Sequence, residues 1–119
     1  LSSDITLMSR FEGPTHSLAE CMGKLMALGI GLTDVIRMTT SRPAEVLGLE
    51  GEIGTLEVGR VADVSILEAV EGNWLFRDIT GGTQQGSTAI RPWAAIRAGE
   101  VMPLDYGPRP WGWLPERAG

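Results

Sequence analysis

The chain has 119 residues, of which 43% are apolar and 21% charged, and its net charge is −5. That length is enough for one ordinary hydrophobic core, and the composition is globular rather than disordered. An acidic chain without a basic run argues against nucleic-acid binding and against docking on an anionic membrane.

Cys21 is the only cysteine. No internal disulfide can form, and a reducing compartment is expected. The most apolar stretch, Leu25 to Leu32, is broken by Gly29 and Gly31 and is too short to cross a bilayer. A basic-then-apolar leader is not visible, so the expectation is a soluble, cytoplasmic protein. The chain opens on Leu-Ser-Ser-Asp-Ile-Thr without a methionine, as though inside an element. The expectation is a piece of something longer.

Leu1 to Leu7 has some strand character through Ile5 and Leu7, and Met8 to Thr15 reads as a loop with Gly13-Pro14 as its turn signal. Ser17-Leu18-Ala19-Glu20 fits a capping box, in which the Ser17 hydroxyl accepts from the Glu20 N–H and the Glu20 side chain reaches back. Leu18, Cys21, Met22, Leu25, Met26 and Leu28 then recur at helical spacing, and Gly29 is a C′ stop. The pattern predicts a helix over about residues 17–28. Thr33 can cap a second helix, with Asp34 in its first turn and Val35, Ile36 and Met38 as its apolar content. Pro43 suits the first turn of a third, very short helix whose Ala44, Val46 and Leu47 face inward and which Gly48 ends.

From Gly51 onward the punctuation changes, with glycines at 51, 54 and 59. Val61 to Leu67 is β-branched and apolar on both faces, as for a strand buried on both sides. Trp74 to Ile79 is a second strand with Trp74 and Phe76 on one side; Gly81-Gly82 turns the chain, and Gln84 to Ile90 returns. Pro92 interrupts before a strand over Trp93 to Arg97, which Ala98-Gly99-Glu100 closes and Val101-Met102 extends. The tail carries Pro103, Pro108, Pro110 and Pro115 with Trp111 and Trp113, and is expected to be an extended arm lying on another surface. The stretch from Thr39 to Leu67 therefore joins a helical layer to a β layer. No internal repeat is visible.

That junction carries a family resemblance. Pro43-Ala44-x-x-Leu47-Gly48-Leu49, a spacer, and then Gly54-x-x-x-x-Gly59-x-x-Ala62-Asp63 resembles the C-terminal part of the amidohydrolase superfamily. These are metal-dependent hydrolases that include dihydroorotases, hydantoinases and N-acyl amino-acid deacetylases. Ile96-Arg97-Ala98-Gly99-Glu100-Val101 resembles the family's last hairpin, and Ser2-Ser3-Asp4-Ile5 the end of its eighth barrel strand. Gly13-Pro14 with Met22-x-Lys24-Leu25-Met26-Ala27-Leu28-Gly29 looks most like the dihydroorotase-like deacetylase branch. The resemblance covers nearly all of residues 1–102.

It implies an α+β fragment. The last βα unit of a TIM-type (β/α)8 barrel and the connecting helices would occupy residues 1–50. The C-terminal strands of a small composite β-sandwich would occupy 51–102, with a Pro/Trp-rich tail over 103–119. A complete barrel needs roughly 250 residues, so most of it would lie outside this chain. By the same resemblance Asp4 is the catalytic residue and a metal ligand, taking the proton of a metal-activated water. Phe11, Gly13 and Pro14 would line the substrate pocket. The implied cofactor is a divalent metal, zinc above all, held by the full-length enzyme and not by this chain alone. The implied substrate is a small amide, cyclic amide or ester. The implied protein partner is a homo-oligomer or a missing N-terminal barrel segment. The alternative is a non-catalytic structural or protein-interaction module derived from that family.

The remaining polar residues read more plainly. His16 stands just before a capped helix and faces solvent. Asp63 is structural, its carboxylate satisfying backbone N–H groups of the preceding turn. Cys21, Met22 and Met26 fill core, and the four tryptophans are packing anchors.

Overall fold

The computed structural model describes residues 1–3, 17–104 and 114–119. Its elements are α1 (Leu18–Ala27), α2 (Leu32–Thr39), α3 (Ser41–Leu47), β1 (Val64–Arg77), β2 (Thr83–Arg97), β3 (Glu100–Met102) and β4 (Glu116–Arg117). The strands form one antiparallel sheet in the order β3-β2-β1-β4. An open four-stranded sheet thus stands where strands of a composite sandwich were expected.

Local chemistry accounts for the helix ends. The Ser17 hydroxyl accepts from the Glu20 N–H at 3.1 Å, as the capping signature predicts. At the other end Gly29 is left-handed, with φ +92°. Its N–H donates to the Met26 carbonyl at 2.9 Å, and the Ile30 N–H donates to the Leu25 carbonyl at 3.1 Å. That pair of bonds is a Schellman closure. Gly48, at φ +70°, ends α3 the same way: its N–H donates to Glu45 and that of Leu49 to Ala44. The start of α2 departs from expectation. Gly31, not Thr33, is its cap, because the extended Gly31 offers its carbonyl to the N–H groups of Asp34 and Val35 at 3.0 and 3.1 Å.

Four expected strands are two long ones. Val61–Leu67 and Trp74–Ile79 merge into β1, and Gln84–Ile90 and Trp93–Arg97 into β2. Two register shifts keep the hairpin continuous, between Ile66 and Leu67 and between Glu71 and Trp74. The first lies opposite Pro92, and a bulge is where an interior proline is tolerated. The second holds Gly72, where a Cβ would come within 2.9 Å of the Trp74 indole nitrogen. That closeness lets the indole fold back and donate to the Val70 carbonyl at 2.9 Å.

Among the described residues, two groups of buried side chains form the core. Ala19, Met22, Val35 and Ile90 pack α1, α2 and β2 together, with Leu25, Met26 and Ile30 against them. Trp74, Phe76 and Ala89 form the second, with Ala27, Val70 and Leu114 against them. Met22 and Met26 therefore fill core as expected, and Trp74 is a packing anchor. Trp93 is not: it is 60% exposed. The apolar stripe of α1 is narrower than its sequence suggests, since Leu18 and Leu28 are exposed and Cys21 is half-buried. On α3 only Ala44 is buried, while Val46 and Leu47 point outward. Ile66 and Leu67 are also exposed, so β1 is not covered on both faces at its start. The reason is shared. Among the described residues α1 is the helix that lies along the sheet, on β2 and the far part of β1, while α2 joins that core through Val35.

Candidate functional site

All residues to which the sequence assigns a site role, Asp4, Phe11, Gly13 and Pro14, lie outside the described residues, and so does His16. Flanking residues are described. The N-terminal ammonium of Leu1 donates to the Met38 carbonyl near the end of α2 at 2.8 Å, and Ser17 caps α1. Among the described residues no group of three or more His, Cys, Asp or Glu side chains could hold a metal ion. A catalytic zinc takes three protein ligands. The described residues therefore do not supply a donor set, and no step through a metal can be built on them.

What is described is the scaffold around the Gly-x-x-x-x-Gly-x-x-Ala-Asp signature. Gly54 sits at φ +88°, and a Cβ there would lie 2.8 Å from the Ala44 Cβ and 3.1 Å from the Thr40 carbonyl. Glycine lets the loop press directly onto α3, which ties this glycine to the Pro-Ala-x-x-Leu-Gly half of the pattern. Arg60 closes the loop. Its guanidinium donates to the Glu50 carbonyl at 2.8 Å and to the Glu57 carboxylate at 3.0 Å. The Val61 N–H then bonds the Glu52 carbonyl at 3.0 Å.

Ala62 and Asp63 reach the other end of the sheet. The Ala62 carbonyl accepts from the Gly99 N–H at 3.0 Å, and the Asp63 carboxylate accepts from the Ala98 N–H at 2.7 Å. Asp63 is structural, as expected, but it serves the β2–β3 turn rather than the turn before it. The cause is topological: β1 starts beside the end of β2, with Val64 paired to Ile96. The turn itself has φ +48° at Ala98 and +84° at Gly99, the two left-handed residues of a type I′ hairpin.

Asp78 is a polar centre that the sequence reading passed over. Its Oδ1 accepts from the Thr80 hydroxyl, the Thr80 N–H and the Gly82 N–H, each at 2.8 Å. The Thr80 hydroxyl first, then the Gly82 and Thr80 N–H groups, hold the carboxyl below its ordinary pKa. Asp-x-Thr-Gly-Gly between two strands is the local signal that could have found it. On α1, burial pushes the Cys21 thiol above its ordinary pKa; Lys24 opposes the shift and Glu20 adds to it. A raised thiol pKa suits core filling and disfavours a nucleophile. Glu68 and Arg91 pair across β1 and β2, with the Arg91 Nε 2.9 Å from the carboxylate.

A helix layer on an antiparallel sheet, joined by a glycine-marked loop, describes a scaffold segment, and comparison with known proteins places it. Residues 1–90 match the amidohydrolase family, and the chain belongs to that family. It is 34% identical over 101 residues to a deacetylase of Enterococcus faecalis, covering 85% of this chain and 27% of that one. It is 41% identical over 64 residues to a dihydroorotase of Syntrophotalea carbinolica, covering 54% and 14%. Among solved structures an adenine deaminase superposes with a TM-score of 0.77 at 34% identity, covering 85% of this chain and 27% of that one. A dihydroorotase superposes with a TM-score of 0.73 at 26% identity, with the same coverage. The chain spans 27% of the length of the deacetylase it matches.

Proposed function

We propose that this chain is the C-terminal part of a metal-dependent hydrolase of amide, cyclic amide or ester bonds, of the dihydroorotase and N-acyl amino-acid deacetylase kind. The family match over residues 1–90 carries this reading, together with likeness to a deacetylase and a dihydroorotase. In it, residues 1–50 contribute the end of a barrel and residues 51–102 the strands packed beside it. Asp4 is the metal ligand and general base, and Phe11, Gly13 and Pro14 line the substrate pocket. A divalent metal, zinc in the first instance, supplies the activated water. The other ligands come from outside these 119 residues, because the chain holds one histidine and one cysteine.

The chain alone is then inactive. The test is to assay the 119 residues with added zinc against N-acyl amino acids and dihydroorotate. The expected result is no metal-dependent turnover, and turnover by the isolated chain overturns this part of the reading. A second reading, a non-catalytic interaction module, is favoured by the exposed Val46, Leu47, Leu56 and Val101. Light scattering after size exclusion tests the module: a clean monomer with no exposed apolar patch argues against it.

A further inference from the structure

We draw no further inference here: the strongest candidate, the exposed apolar side chains of Val46 and Leu47 on α3 and of Leu56 and Val58 in the loop after it, carries nothing, because nothing in the structure shows what covers them.

Discussion

Asp78 holds its turn through three hydrogen bonds that only the ionised carboxylate can accept in full. Its folded pKa is lowered, so its stabilisation is present above the unfolded carboxylate value of about 4 and is lost as pH falls through the folded one. The amide resonances of Thr80 and Gly82 should titrate below that ordinary value in the intact chain. In Asp78→Asn, which keeps an acceptor but cannot ionise, they should not move with pH; a matching titration there would contradict the assignment. Asp63 makes the complementary case. Replacing it with Ala leaves the Ala98 N–H without its 2.7 Å partner and should cost about 1 kcal/mol in urea unfolding. Ala98→Gly should act oppositely. The left-handed conformation costs an alanine roughly 1–2 kcal/mol, more than the flexibility that glycine adds to the unfolded chain. A gain of about 0.5–1 kcal/mol is expected. At this scale the sequence showed that Asp63 is structural, because the residue sits in a patterned turn. It could not show the partner, because Ala98 is distant in sequence and only the β1–β2 pairing brings it near.

Close approach of α1 to the hairpin decides how the helical and β layers fit. Gly23 and Gly86 lie on either side of Phe76: a Cβ at Gly23 would fall 2.7 Å from its ring, and one at Gly86 would fall 2.9 Å from the ring and 2.8 Å from the Ala27 Cβ. Phe76 is only 2% exposed and has no room to retreat. Gly86→Ala should therefore destabilise by about 1–3 kcal/mol, and Phe76→Ala by about 3–5 kcal/mol through the cavity it leaves. Combining Gly86→Ala with Phe76→Leu should cost less than the sum of the two alone, since the smaller side chain makes room. Urea denaturation of the single and double variants measures this, and strict additivity would count against the sandwich of glycines around the ring. Helix α1 was legible from its cap, its stripe and its glycine stop. The length of the strands was not. Pro92 and the Glu71–Trp74 irregularity read as breaks, whereas bulges absorb both within continuous strands.

Among the described residues, the buried apolar set is small beside the exposed one. Val46 is 86% exposed, Leu56 80% and Val101 70%. Family membership was readable from the sequence because the junction signature has mechanical causes. Gly54 presses on Ala44, Arg60 ties the loop, and Ala62 with Asp63 pins the far turn. Those contacts are local or lie next to one strand pairing, so a short pattern captures them. The catalytic assignment had no such support within the chain. It depends on one carboxylate, Asp4, and on ligands the described residues do not provide. The solved relatives match 85% of this chain with 27% of their own length.

The central claim is that Asp4 is a metal-site carboxylate of a hydrolase, and a chimera tests it most directly. Residues of this chain replace the matching 101-residue stretch of the Enterococcus faecalis deacetylase, with either Asp4 or Asn at position 4, and both proteins are assayed for hydrolysis and for bound metal. The expected result is turnover by the Asp4 chimera, with a loss of about 10²–10⁴-fold and reduced metal content on Asp4→Asn. Equal turnover and equal metal content in the two chimeras would contradict the claim.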